Sequence, residues 1–416
     1  MHPTRPIFAK EFEQLLNLQQ VRDALFFLKQ DNEATTKDQI EITEVEAPPF
    51  HEANRAAFLK DKLAEFGLEN LKTDSEGNVY GIRKGTGNGP SVVIAAHLDT
   101  VFPSGTNVAA HVKDGIVYAP GIGDDGRGLA VLLTLLRSLD DNKIETEGDI
   151  IFLADVGEEG LGDLRGMKAF FRENTNVDGF ISVEPGAPGD LIYCGVGSKR
   201  YNVTFKGKGG HSFGDFGSSS TIHAAGRAIA ALAAMTVPQE PKTTYNVGTI
   251  HGGTSINTIA QDAGFQLDLR SVSSQALTEL EENALALIHE AAQKESEACG
   301  QPGSITVSAE LVGDRPAGSQ VEDTPIRQIA LRAAEVLGIE VTMEDPLSTD
   351  ANVPISLGIP ALTLGGGGNS GGHHTLAEFY DSTDAFYGPQ RILLALLGMT
   401  GIKDQVHPLL SVREKK

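Results

Sequence analysis

His97 and Asp99 close the apolar run Val92-Val93-Ile94-Ala95-Ala96, and residues two apart on a strand face the same side. Burying both polar groups in a core is costly, so the spacing favours the solvent crevice beyond the strand's carboxyl end, where open α/β sheets place their sites. Asp124 and Asp125 lie in the glycine turn Gly121-Ile122-Gly123-Asp124-Asp125-Gly126, ahead of a helix starting near Gly128. Glu158-Glu159 follow the strand Asp149 to Val156, and Glu184 ends the strand Gly179 to Val183. His373-His374 follow a glycine-dense loop, Gly365 to Gly368 with Gly371-Gly372, again just beyond an apolar strand. Any one of these groups alone reads as a solvated strand end. Together they are a constellation, and two carboxylates on a glycine turn suit a hard or borderline cation.

Two glycine motifs point elsewhere. Gly121 to Gly126 also satisfies G-x-G-x-x-G, a dinucleotide fingerprint. Its adjacent carboxylates would repel a pyrophosphate and no long βαβ opening precedes it, so a cation is the better occupant. Gly210-His211-Ser212-Phe213-Gly214 satisfies G-x-S-x-G, the nucleophile elbow of serine hydrolases. That elbow needs a buried strand running straight into it, whereas Lys206-Gly207-Lys208-Gly209 intervenes after an amphipathic strand. His211 is the more useful residue of this loop.

The elements that position these groups follow from hydrophobic periodicity. Helical spacing spans Phe8 to Leu28 and about His51 to Phe66, where Gly67 stands as the C′ residue. Asn78-Val79-Tyr80 and Ser91 to Ala96 read as strands, Gly128 to Leu139 as a helix, and Asp149 to Val156 and Gly179 to Val183 as buried strands. Near-continuous apolar strands alternating with helices predict a mixed, largely parallel sheet sandwiched by helices. Near residue 198 the pattern changes. Tyr201 to Lys206, Thr244 to Ile250, Gly264 to Ser271 and Ser304 to Leu311 read as half-exposed strands, with helices from about Ser219 to Met235 and Ala276 to Cys299. This order predicts an α+β domain with helices on one face of an antiparallel sheet. After about residue 315 the buried style returns with a helix, a strand near Ile339, the strand Pro360 to Leu364 and a final helix. We therefore expect one α/β domain, residues 1–198 and 315–416, interrupted by an inserted α+β domain, residues 199–314.

Composition narrows the partners. The chain has 416 residues and a net charge of −22, which speaks against nucleic acid or an anionic membrane, since both need a basic face. Its 40% hydrophobic and 22% charged content is that of a globular protein rather than a disordered one. Cys194 and Cys299 cannot make a disulfide framework. No apolar run reaches the roughly 18 residues of a membrane span, and none forms a signal-peptide core, so a cytoplasmic protein is expected.

Taken in order, several motifs carry a resemblance. They are His97-Leu98-Asp99-Thr100, Gly121 to Asp125, Gly157-Glu158-Glu159-Gly160, Val183-Glu184-Pro185, Gly252-Gly253-Thr254 with Asn257, and His374-Thr375 with Glu378. With them the chain resembles, over nearly its whole length, the co-catalytic zinc peptidase family that includes aminoacylase, peptidase T, succinyl-diaminopimelate desuccinylase and glutamate carboxypeptidase. The resemblance implies a catalytic domain with two zinc ions per subunit, and an inserted lid domain through which such enzymes commonly form homodimers. Asp124 would bridge the ions, with His97 and Glu184 completing one and Glu159 and His374 the other. Glu158 would be the general base, and Asp99 would orient the His97 ring. His374 is implied rather than His373 because His-x-x-x-Glu, ending at Glu378, matches the family spacing. His211 resembles the lid histidine that reaches a neighbouring subunit's site and stabilises the oxyanion. Asn257 and Arg270 match lid positions that grip the substrate, and a cis peptide is implied at Asp124–Asp125.

Imidazole and carboxylate ligands without thiolate suit zinc in a catalytic site, with cobalt or manganese able to substitute. The implied reaction is hydrolysis of a short peptide or an N-acyl amino acid. Ala47-Pro48-Pro49-Phe50-His51-Glu52 and Gly77-Asn78-Val79 look most like peptidase T relatives, which favours release of N-terminal residues. Glu184 stands where many aminopeptidases and dipeptidases of the family carry aspartate, and pulls towards carboxypeptidase or acylase chemistry. A silent metal-binding scaffold is the alternative from another class, and the presence of the base with all five ligands speaks against it.

Overall fold

The structure, a computed structural model, describes residues 7–343 and 345–414, so both extreme ends of the expected α/β range lie outside the described residues. The chain forms two compact units, Met1–Cys194 with Gln320–Lys416, and Gly195–Ser319. It enters and leaves the second unit through one paired crossing. Gly195 N donates to Gly318 O at 2.7 Å and Gly318 N to Gly195 O at 3.1 Å.

In the first unit an eight-stranded sheet runs in the order Glu69–Thr73, Val79–Arg83, Asp149–Asp155, Ser91–His97, Gly179–Glu184, Ala361–Gly365, Asp190–Ile192, Thr342–Met343. The four central strands, Asp149–Asp155 through Ala361–Gly365, are parallel, and antiparallel pairs flank them. Register places His97 opposite Asp155 and Gly365 opposite Glu184. The polar residues that end these apolar strands therefore emerge along one edge.

Alternation divides the core between the two faces of the sheet. Val92, Ile94, Ile150, Phe152, Ile181 and Val183 share a cluster with residues of the helices Gly126–Asp141, Pro325–Val336 and Tyr387–Thr400. Val93, Ala95, Ile151, Leu153 and Phe180 share another with residues of Arg165–Glu173 and Asn352–Ser356. A small sheet, Asn369–Gly371, Phe379–Asp381, Ile116–Tyr118 and His111–Lys113, carries the loop between the two histidines and Glu378.

The amino-terminal region departs from the periodicity. The segment expected as one helix is two, Ala9–Asn17 and Gln19–Gln30, because Leu18 is extended (ψ 127°). A third helix, Asn32–Thr43, buries Thr35, Gln39 and Thr43, a polar stripe that apolar periodicity does not register.

In the second unit four antiparallel strands lie in the order Thr243–Gly252, Asp262–Ser271, Gly197–Lys206, Thr306–Arg315. Tyr201, Val203, Phe205, Phe265, Leu267 and Leu269 form a separate core with the helices Thr221–Ala233 and Ser274–Ala298. A two-stranded ribbon pairs Gly210–His211 with Thr258–Ile259. Among the described residues no helix is long and apolar enough to cross a membrane.

Candidate active site

The edge of the first unit's sheet gathers the strand-end residues around one carboxylate. Asp124 Oδ1 lies 3.0 Å from His97 Nε2, and Asp124 Oδ2 lies 3.1 Å from His374 Nε2. Glu159 Oε1 stands 2.9 Å from the same His374 nitrogen, and Glu184 Oε2 stands 3.9 Å from His97 Nε2. Ligand atoms of His97, Asp124 and Glu159 all fall within 4.8 Å of one another. One carboxylate with an imidazole at each oxygen, and a further carboxylate beside each imidazole, is a donor set that fits two cations sharing Asp124. His373 is turned away, with its Nε2 3.0 Å from Ser370 Oγ.

Two buried carboxylates hold the loops that present these groups. Asp99 Oδ1 accepts from Gly157 N at 2.8 Å and Glu158 N at 3.2 Å, and its Oδ2 accepts from Glu159 N at 2.8 Å. The His97 ring is oriented by the backbone, since Nδ1 donates to the Asp99 carbonyl at 2.9 Å while the nearest measured Asp99 carboxylate oxygen is 3.9 Å away. That differs from the expected ring-orienting carboxylate, whose two oxygens are instead engaged by the three loop N–H groups. Glu378 does for the glycine turn what Asp99 does for the 157–159 loop. Its Oε2 accepts from Gly121 N at 2.7 Å, and its Oε1 from Gly123 N at 2.8 Å and Asp124 N at 2.9 Å. The concavity that a phosphate would have used in a G-x-G-x-x-G loop is thus filled by the protein's own carboxylate.

Two further groups support the site. Asp125, joined to Asp124 by a cis peptide, caps the helix Gly126–Asp141 by accepting from Gly128 N at 2.9 Å. It also accepts from His97 N at 3.2 Å. Arg55, fully buried, donates to the carbonyls of Val45 at 2.7 Å, Leu98 at 2.8 Å and Thr43 at 3.2 Å. An arginine whose partners are all backbone carbonyls leaves no trace in residue spacing.

The electrostatics follow from crowding ionisable groups in a buried place. Burial alone would lower the His97 imidazole, but the Asp124 hydrogen bond and the charges of Asp125, Asp124 and Glu184 outweigh it and hold its pKa well above 6.5. The Asp124 hydrogen bond is the main reason that His374 is raised to about 9. Burial pushes Glu184 well above the usual carboxylate range, raises Glu159, and brings Glu378 to about 7. With a pKa of about 9 the His374 imidazole is cationic at pH 7 in the metal-free chain, and coordination requires the neutral ring. Metal uptake at pH 7 is expected to expel a proton from His374, and affinity should climb as pH rises towards 9. Calorimetric titrations in buffers of different ionisation enthalpy measure this, and uptake without proton release would contradict the ligand assignment.

Residues 93–397 match the model of peptidase family M20/M25/M40. The chain belongs to this family. It is 26% identical over 339 residues to the uncharacterized protein YqjE of Bacillus subtilis, an alignment covering 78% of this chain and 88% of that one. Its fold matches that of the aminopeptidase PepT from Bacillus cereus with a TM-score of 0.73 at 24% identity, covering 88% and 97% of the two chains. A Bacillus subtilis dinuclear metal-binding peptidase of the M20 family, YXEP, matches with a TM-score of 0.66 at 18% identity, covering 89% and 98%. The first unit's large mixed sheet with its flanking helices is the M20 peptidase fold, and the chain is a metal-binding hydrolase acting on peptide or amide bonds.

The remaining residues expected of an M20 enzyme lie in the second unit. His211 and Asn257 share its ribbon, where Ser212 N donates to Asn257 O at 3.0 Å. His211 is exposed, and its Nδ1 accepts from Phe213 N at 3.2 Å and Gly214 N at 3.1 Å. Ser212 lies in this exposed turn rather than at the end of a buried strand. Arg270 is not beside them. It stands at the far end of Asp262–Ser271, roughly 26 Å from Asp262 at about 3.3 Å per residue, with its Nε 2.7 Å from Asp268 Oδ2.

Proposed function

We propose that this M20 enzyme is an exopeptidase of short peptides that releases N-terminal residues as peptidase T does. It would hold two zinc ions, for which cobalt or manganese could substitute, on His97, Asp124, Glu159, Glu184 and His374. The observation that carries this reading is Asp124, with one imidazole nitrogen 3.0 Å from one oxygen and another 3.1 Å from the other. When bound, such ions supply Lewis acidity towards the scissile carbonyl and make water more acidic.

The chain's own residues handle the proton. Glu158, only 7% exposed and held by its backbone to Asp99 at 3.2 Å, takes a proton from the attacking water and delivers it to the departing amine as the C–N bond breaks. The two N–H groups donated to His211 Nδ1 leave the ring proton on Nε2. That makes His211 a donor for the carbonyl oxygen as it gains charge, in a partner subunit's site. Asn257, on the same ribbon, and Arg270 would grip the substrate. A homodimer through the inserted unit is supported by the exposure of Phe213 (88%), Phe216 (90%) and Ile256 (102%) on the loops around that ribbon. A reducing, cytoplasmic setting is supported by the two free cysteines.

Glu184 favours a second reading, a carboxypeptidase or N-acyl amino acid hydrolase. Free tripeptides compared with their N-acetylated and C-amidated forms, with zinc, cobalt or manganese added, separate the two. Cleavage of free and amidated peptides with loss on acetylation is expected. Loss on amidation, or preference for acetylated substrates, would select the second reading instead. Inertness towards every form would refute both readings of the substrate.

A further inference from the structure

The helix Asn32–Thr43 lies outside the residues that match the family, yet it touches the turn that carries Asp124. Thr35, Gln39 and Thr43 recur at every fourth position and are 2%, 0% and 0% exposed. Gln39 Nε2 donates to the Ile122 carbonyl at 2.7 Å. Thr43 Oγ1 donates to Gln39 O at 2.8 Å and lies 3.5 Å from Gly121 O. The approach is close: a Cβ added to Gly126 would stand 2.4 Å from Thr43 Oγ1.

The backbone of this turn is otherwise satisfied from within the fold. Gly121, Gly123 and Asp124 donate to Glu378, and Ile122 N donates to Ala119 O at 3.2 Å. Gly126 N donates to Gly121 O at 3.2 Å and Arg127 N to Gly123 O at 3.3 Å. The Ile122 carbonyl is met by Gln39. Among the described residues, the other end of that amide, Gln39 Oε1, is buried with no hydrogen-bond partner. A buried amide with one end unmet is a liability to stability, but removing it would take the donor from the buried Ile122 carbonyl and so offset that relief.

We infer that Gln39 is a positioning residue for the metal centre, fixing the Ile122 carbonyl and so the place from which Asp124 presents its two oxygens. The inference rests on the dinuclear reading of the site. Partners behind the ligands typically tune metal affinity by about 10–100-fold. The test uses the full chain stripped of metal, with zinc titrated against a chromophoric chelator and thermal melting of the metal-free protein recorded alongside.

Gln39→Met is expected to weaken zinc binding at least tenfold while the metal-free protein still folds, with a melting temperature only slightly lowered because the Ile122 carbonyl loses its donor. Thr35→Val, on the same stripe but bonded to Asp31, should leave zinc affinity unchanged. Wild-type protein that takes up fewer than two ions would refute the dinuclear reading. Two ions in the wild type, held equally tightly by Gln39→Met, would overturn the role of Gln39 alone. If Gln39→Met does not fold, Gln39→Leu is measured in the same way, and failure of both to fold would make Gln39 purely structural and overturn the inference.

Discussion

Replacing Glu158 by glutamine is expected to lower kcat by about 10²–10⁴-fold, the range a positioned general base contributes. Glutamine keeps the size of the side chain and loses the ability to accept a proton. The loop should stay in place, because it is the backbone N–H of residue 158, not its side chain, that Asp99 holds at 3.2 Å. Metal content and KM should therefore remain near the wild-type values. Steady-state kinetics and metal analysis on the same preparation check this. A kcat within threefold of wild type would move the base elsewhere, with the neighbouring Glu159 as the first candidate.

The second large effect is expected from Asp99→Ala. This carboxylate is 0% exposed and accepts three consecutive backbone N–H groups, from Gly157, Glu158 and Glu159. Leaving buried donors unmet costs about 1–3 kcal/mol each, with some relief as the loop relaxes, so a loss of about 3–5 kcal/mol is expected. Both Glu158 and Glu159 sit on that loop, so kcat and metal affinity should fall together. Asp99→Asn retains one acceptor oxygen and should fall between the two. Denaturant melts with parallel kinetics measure both quantities, and wild-type stability in Asp99→Ala would show that the loop is held by other bonds.

Much of this site could be read from residue types. The apolar runs ending in His97, Glu158-Glu159 and Glu184 announce parallel strands whose carboxyl ends meet, and the structure brings those ends together on one sheet edge. What escaped was carried by the backbone. No spacing says that the Asp99 carbonyl, rather than its carboxylate, faces the His97 ring. Arg55 and Gln39 act on main-chain carbonyls from helices remote in sequence, and the Thr35–Gln39–Thr43 stripe looks like an exposed face until its burial is known. The break at Leu18 has neither glycine nor proline to mark it. Glu378 was visible as part of a motif, but its grip on three N–H groups of a turn more than 250 residues earlier was not.

The paired crossing at Gly195 and Gly318 has a consequence for how the enzyme comes into being. During synthesis the whole of Gly195–Ser319 emerges before Ala361–Gly365, the strand that completes the parallel core, and before His374, the last proposed ligand. The nascent chain can finish its inserted unit early, because that unit is closed at its own neck. The hydrolytic centre has to wait. A polypeptide stalled anywhere short of His374 lacks one of the two imidazoles that flank Asp124 in the finished fold.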